Sequence, residues 1–166
     1  PSPPPPPLPP PPPAIPPPSP PPPTQNFFIG EDGNLTRILL EDARQYGDQI
    51  VSIVVTGVHQ LSEAAGSFPP GQAAPSSLTI QGGAAGATIE AADASLALFS
   101  FGFDSSATVH LVGLVLRGRV LLASAKARLE VTDCTLIAAA GGTHAALHIT
   151  LGRAELRSVN ATGLRS

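Results

Sequence analysis

The segment Leu129-Glu130-Val131-Thr132-Asp133-Cys134 carries a pattern that recurs along the second half of the chain. It opens on an apolar residue, places a second apolar residue at position three and has a turn-forming residue at position five. The same frame fits Leu78–Gly83, Val109–Leu114 and, with Ser158 as an exception at position three, Leu156–Ala161. The four segments start 31, 20 and 27 residues apart. Short strands that recur at such a period are typical of a solenoid.

Other apolar runs lie between these segments and would supply the remaining faces of each coil. They are Leu96–Phe99, Val120–Leu122 and Leu147–Ile149. In a stack of parallel strands about 4.8 Å apart, aliphatic residues fill the interior in columns. Glycine, asparagine and aspartate tolerate the positive φ needed at tight corners. The pattern therefore predicts one continuous core containing Leu78, Ile80, Val109, Leu111, Leu129, Val131 and Leu156.

A different period precedes the repeats. Apolar residues at Leu35, Ile38, Leu39, Ala43 and Tyr46 predict a short helix, and Gly47 is a plausible stop. The β-branched run Gln49–Val58 then predicts a strand. We expect Phe27 and Phe28, which come before the helix, to seat the preceding segment on the domain.

The segments from about residue 34 to 163 together resemble the pectate-lyase-like right-handed β-helix superfamily. The resemblance implies an all-β fold: a single-stranded right-handed parallel β-helix, with the predicted helix as its N-terminal cap. An antiparallel β-sandwich is the alternative. Against it, no Asn-Gly or Asp-Gly turn lies between two clean alternating strands.

The first 23 residues are a proline tract, with 18 prolines. Proline lacks a backbone N–H, and its fixed φ suits polyproline II, so the tract predicts a rod of about 70 Å. The predicted organisation is a rod at 1–23, a linker at 24–33 and the β domain at 34–166. Because the chain starts at Pro1 and contains no methionine, we expect it to be a processed product or a fragment. A fragment allows the β domain to continue beyond Ser166.

The Ser-Pro blocks of the tract are similar to the hydroxyproline-rich glycoproteins of green-algal cell walls, including the pherophorin-like group. The resemblance implies hydroxylation and O-glycosylation at Pro3, Pro4, Pro5, Pro6, Pro7, Pro9, Pro10, Pro11, Pro12, Pro13, Pro16, Pro17, Pro18, Pro20, Pro21, Pro22 and Pro23. Two sequons, at Asn34 and Asn160, are candidates for N-glycosylation. The structural alternative is a helix cap for Asn34 and an inward-facing corner asparagine for Asn160. We expect Leu8, Ala14 and Ile15, which interrupt the prolines, to serve as apolar assembly anchors.

The chemistry-bearing residues are sparse, and they predict no catalytic, cofactor-binding or metal site. The acids after residue 60 form neither a D-x-D nor a D-D pair, as the acid sites of β-helix polysaccharide enzymes would require. We expect Arg128, Arg153 and Arg157 to pair with Glu130 and Glu155 on a solvated face. A net charge of −3 favours neither a nucleic-acid nor a membrane partner. Cys134 is the only cysteine, and we expect it to be a buried thiol.

These features favour a non-enzymatic structural subunit of an extracellular fibril, cell wall or surface layer. It would assemble head-to-tail with itself as a linear or helical polymer through the proline rod, and would carry covalent glycans. The alternative is a carbohydrate-binding or polysaccharide-cleaving β-helix on a proline-rich stalk; aromatic residues make up only 4% of the chain and tryptophan is absent, which weighs against sugar stacking. A ligand for a proline-binding domain is the third possibility.

Overall fold

The described part of the chain is all-β apart from one helical turn. A computed structural model describes residues 1–4, 19–21, 23–31, 33–38, 45–62, 74–102, 106–139 and 145–162. The helical turn is α1, Leu35–Arg37. The strands are β1 Thr24–Ile29, β2 Ile50–Leu61, β3 Ser77–Ala91, β4 Ala97–Phe101, β5 Thr108–Val112, β6 Leu114–Arg117, β7 Arg119–Thr132, β8 Thr135–Ile137, β9 Leu147–Arg157 and β10 Asn160–Thr162. No helix among these residues is long and apolar enough to cross a membrane.

Every strand pairing among the described residues is parallel, which excludes the antiparallel sandwich. The pairings form three ladders, and the longer strands bend from one ladder into another. The first ladder runs through β1, β2, β3, β5, β7 and β9. The second runs through β2, β3, β6, β8 and β10. The third runs through β4, β7 and β9, and it contains the predicted intervening apolar runs.

The register confirms three of the four repeat segments and corrects the fourth. Leu78 pairs with Val109, and Val109 pairs with Leu129, as the shared frame predicts. Leu129 then pairs with Ala154, whereas Leu156 pairs with Val131. The frame misplaced this segment by two residues because a small alanine occupies the opening position, which a pattern built on large apolar residues passes over.

The same shift moves the turn position of the last segment. Gly113, Asp133 and Ser158 follow corresponding strands, and their φ angles are 63°, 52° and 52°. Ser158 therefore occupies the corner predicted for Asn160, which instead opens β10 and pairs with Thr135. Positive φ disfavours most L-residues, so this column explains why short polar residues and glycine recur there.

The core contains inward side chains of all three ladders, and the predicted core residues belong to the first. Six of the seven predicted core side chains are at most 1% exposed, namely Leu78, Ile80, Val109, Leu111, Leu129 and Val131. The seventh, Leu156, is 52% exposed, so that part of the prediction is wrong. Leu156 belongs to the column of Leu111 and Val131, but it lies on the last described strand of the ladder and has no further strand over it.

The N-terminal end is arranged differently from the prediction. Thr24–Ile29 form β1, although the composition predicts a linker there, and its alternate side chains continue the columns of β2. A capping helix of the predicted length is not seen: the described residues show one turn at Leu35–Arg37, while residues 39–44 lie outside them. Leu35 is nonetheless buried, at 2% exposed. The ring of Tyr46 packs 5.9 Å from that of Phe27, so both ends of the predicted helix contact this end of the stack.

Candidate functional site

The C-terminal end of the strand stack carries an open apolar hollow. Its volume is about 460 Å³. It is lined by Leu136, Ala146, Leu147, Leu156, Ser158, Val159 and Ala161. These residues come from β8, β9, β10 and the segments beside them, which form the last described layer.

Residues in the last layer are exposed where their stacked partners are buried. Leu122 is 0% exposed, while Ile149, which pairs with it, is 43% exposed. Val131 is 1% exposed, while its partner Leu156 is 52% exposed. Among the described residues, the exposed large apolar side chains are Phe28 on β1, Val58 on β2, and Ile149, Leu151 and Leu156 on β9. These five residues lie on β1 and β2 at the N-terminal end of the strand stack and on β9 at its C-terminal end, so the exposed large apolar surface of the described residues is at the two ends of the stack.

The backbone of β9 has one open side. The Asp133 N–H donates to the Arg157 carbonyl at 3.0 Å, so residues 153, 155 and 157 direct their backbone groups toward β7. Backbone direction alternates along a strand, so the N–H and C=O groups of Ala154 and Leu156 point to the opposite side. No described strand pairs with that side. This is a free strand edge of the kind that binds other chains.

The N-terminal end has a matching free edge on β1. The Ile50 N–H donates to the Pro23 carbonyl at 3.2 Å, so residues 23, 25, 27 and 29 face β2. By the same alternation, the backbone groups of Thr24, Asn26 and Phe28 face away from the stack. β1 pairs only with β2 among the described strands. The proline before it has no N–H, so the donors of this edge start at Thr24.

Charged side chains cover the outer surface of the first ladder near its C-terminal end. Glu155 is shared by Arg128 at 2.7 Å, Arg153 at 3.2 Å and Arg157 at 3.5 Å. The second carboxylate, Glu130, lies 3.0 Å from Arg128. Its other oxygen is 3.1 Å from the His110 ring. The predicted pairing of these arginines and glutamates is therefore confirmed.

The ion pairs change the titration of their central members. The hydrogen bond from Arg128, together with its charge and those of Arg153 and Arg157, lowers the pKa of Glu155 against a smaller desolvation effect. The same hydrogen bond raises the pKa of Arg128. Both groups therefore keep their charges at neutral pH. This arrangement of mutually paired charges stabilises a solvated face of the first ladder.

The predicted modification and assembly residues have different surroundings. Asn34 is exposed, and its side-chain oxygen accepts from the Arg37 N–H at 2.8 Å, which is the expected helix cap. Asn160 is exposed at the start of β10. The Phe28 side chain is 80% exposed, whereas Phe27 is half-buried against the core.

The rod falls only partly within the described residues. Pro3, Pro4, Pro20, Pro21 and Pro23 are exposed. Outside the described residues lie Pro5, Pro6, Pro7, Pro9, Pro10, Pro11, Pro12, Pro13, Pro16, Pro17, Pro18 and Pro22, together with the proposed anchors Leu8, Ala14 and Ile15.

Cys134 is a core residue next to the turn column. It is 1% exposed, and its Sγ donates to the carbonyls of Leu111 and Thr132 at 3.4 and 3.3 Å. Burial raises the pKa of this thiol, so it stays protonated and unreactive near neutral pH. Nowhere in the described ranges do three His, Cys, Asp or Glu side chains come together as a metal site.

The chain matches no protein-family model, no curated protein and no solved structure. The candidate site is therefore inferred from the strand pairing, side-chain exposure and charges of this chain alone. Sequence reasoning missed the edge at β1, although Phe27, Phe28 and Ile29 are residues of high β propensity that could have revealed a strand. The repeat pattern does predict an uncapped C-terminal end near residues 151–164 as a second adhesive surface, and β9 supplies its free edge among the described residues.

Proposed function

We propose that this chain is a non-enzymatic structural subunit of an extracellular glycoprotein fibril or cell-wall layer. It would polymerise head-to-tail with other copies, using the proline rod as connector and the strand stack as the body of the subunit. The finer fold that we propose is a right-handed parallel β-helix. Three parallel ladders that share long bent strands support this proposal, because they are what successive coils of such a helix would produce.

The joint between rod and body is the observation that carries the proposal. The carbonyl of Pro23, the last proline of the tract, accepts a hydrogen bond from the Ile50 N–H in the first ladder. β1 begins at the next residue, Thr24. The proline tract is thus followed directly by the first strand, with no other residues between them. A stiff attachment is what a connector needs if it is to transmit orientation from one subunit to the next.

The relative lengths support a connector role. A polyproline II rod of 23 residues would extend about 70 Å at about 3.1 Å per residue. The first ladder contains six described strands, which span about 24 Å at about 4.8 Å per step. A rod attached at the first strand would therefore reach well beyond its own body, to a neighbouring subunit.

Deletion of residues 1–22 tests the connector role. Pro23 is retained because its carbonyl belongs to the first ladder. We expect the shortened chain to keep its far-UV circular dichroism spectrum and to lose its filaments in electron microscopy. The matched control is a full-length chain in which Leu8, Ala14 and Ile15 are replaced by serine, because it keeps the length of the tract and removes only the proposed apolar anchors. Filaments that persist unchanged after the deletion would refute the connector role.

The mass of the rod tests the glycoprotein part of the proposal. The first tryptic site follows Arg37, so one peptide carries both the whole tract and the Asn34 sequon. After N-glycan removal, peptide 1–37 from the natural source should exceed its sequence mass by hydroxyl and sugar increments. An unmodified mass would contradict the proposed O-glycosylation.

A further inference from the structure

We propose that the two open ends of the stack bind each other: β1 of one copy pairs in parallel with the Arg153–Arg157 half of β9 of a second copy. This contact rests on the proposed head-to-tail assembly and names the surfaces that meet in it. Each end has a free strand edge and exposed apolar side chains among the described residues. Because all described strands are parallel, the second copy continues the first ladder without reversing direction.

The columns of the first ladder define the register of the contact. Thr24 stands in the column that ends at Arg153, and Phe27 stands in the column that ends at Leu156. Continued by one step, these columns place Thr24 of the second copy over Arg153, and Phe27 over Leu156. The half-buried phenylalanine then covers the leucine that has no strand above it. This provides the apolar cover that Val131 already receives from Leu156 within one chain.

Charge favours this pairing over contact between two C-terminal ends. Antiparallel pairing of β9 with β9 about Glu155 would set Arg153 against Arg157, and Glu155 against its own copy. Like charges directly opposite each other destabilise a sheet. β1 instead brings the uncharged Thr24, Asn26 and Phe28 to this edge.

The outward side chains add specific attraction to the proposed contact. In the continued register, the Phe28 ring lies over Arg157, whose side chain is 72% exposed. A guanidinium against an aromatic face is a favourable cation–π arrangement. The Asn26 amide lies over Glu155, where it can donate to the carboxylate. The second copy is therefore a better partner for this edge than a generic apolar segment.

Disulfide trapping tests the register. Neighbouring strands are about 4.8 Å apart, which suits a disulfide between paired positions. Full-length chains with Thr24→Cys and with Arg153→Cys are mixed and oxidised, and the native Cys134 does not compete because it is buried. We expect a covalent heterodimer from this pair. Replacing Arg153→Cys with Val58→Cys, which is exposed on β2 and far from the C-terminal end, should yield none.

A second substitution tests the apolar part of the contact. Leu156→Asp, placed in the Arg153→Cys chain, should abolish the cross-link, because the aspartate is solvated in the free chain and buried in the contact. Val58→Asp in the same chain is the control, since Val58 is 60% exposed and lies on β2, away from the C-terminal end that this chain contributes to the cross-link. It should leave the cross-link intact. Equal trapping of both variants would overturn the proposal.

The results separate this contact from the rod. If the heterodimer fails to form while deletion of residues 1–22 abolishes filaments, the end contact is wrong and the rod is the connector. If it forms and filaments survive the deletion, the end contact assembles the chain and the connector role is wrong. A cross-link between Arg153→Cys and Arg157→Cys chains in place of the heterodimer would indicate antiparallel contact between C-terminal ends and would also overturn the proposal.

Discussion

Leu111 and Leu156 are the same residue type in the same column, and they should respond differently to truncation. Leu111 is 0% exposed and lies between Ile80 and Val131, whereas Leu156 is 52% exposed and terminates the column. Leucine to alanine removes three carbons, worth about 2.4 kcal/mol of transfer free energy when fully buried. At Leu111 a closed cavity adds to this loss, so Leu111→Ala should lower the free energy of unfolding by about 3 to 4 kcal/mol.

At Leu156 both contributions shrink. About half of the side chain is already in water, so about half of the transfer free energy is lost, and the site opens into the hollow instead of enclosing a cavity. We therefore expect Leu156→Ala to cost about 1 kcal/mol. Val58→Ala, on a side chain of β2 that is 60% exposed, should cost less than about 0.5 kcal/mol.

Urea denaturation followed by far-UV circular dichroism measures all three values. The measurement is made at low protein concentration, where the proposed end contact is dissociated. It uses the midpoint shift at constant m value, since a changed m would signal loss of two-state behaviour. A cost at Leu156 equal to that at Leu111 would refute the reasoning, because it would mean that the end of the column is covered within a single chain.

Three further substitutions test other parts of the structure. Leu129→Asp buries an unpaired charge at a side chain that is 0% exposed, so it should lower the free energy of unfolding by several kcal/mol or prevent folding in the same urea assay. The control Leu151→Asp, at a side chain that is 54% exposed, should lower it much less. Similar losses for the two variants would contradict the core assignment. Glu155→Gln removes a carboxylate whose pKa is held below its ordinary value of 4.5 chiefly by Arg128. A carboxylate whose pKa is lower in the folded than in the unfolded state stabilises the fold at pH values above its unfolded pKa, and this stabilisation is lost as the pH falls through the folded pKa. The variant should therefore melt at a lower temperature than wild type at pH 7. The difference should narrow in acid, and a gap that widens in acid would contradict the ion-pair account. Asn34→Ala removes the cap of α1 and should cost about 1 kcal/mol in thermal unfolding of unglycosylated protein; an unchanged Tm would argue against the cap.

Residue type and spacing were sufficient for the repeat and much of the core. Leu78, Val109 and Leu129 are bulky, and each is followed by a polar residue that faces outward. The corners after Val109 and Leu129 have positive φ, which excludes most side chains. These are local constraints, so they are legible in the chain itself. The same logic predicted the pairing of Arg128 with Glu130, because alternation alone places both on the outer face.

Local patterns failed where one position had little signal of its own. Ala154 opens the last repeat, but alanine is common in loops and strands alike, so the frame moved to Leu156. β1 was taken for a linker because it follows prolines and contains three polar residues; its status as a strand depends on β2, which lies more than 20 residues later. Pairing with a distant strand supplies the hydrogen bonds that decide such a segment.

The sequence by itself determined a stacked, parallel β architecture, because side-chain period acts within a few residues. The stiff proline tract, expected from the missing proline N–H, stays a prediction. Only the tertiary structure decided which strands are last in the stack. Leu156 has the sequence signature of a core residue, and its exposure arises solely because no described strand lies above it. The exposure of a side chain at the end of the stack is set by the order of all the strands. The same order leaves the backbone edges of β1 and β9 free among the described strands, and the proposed assembly uses these two edges.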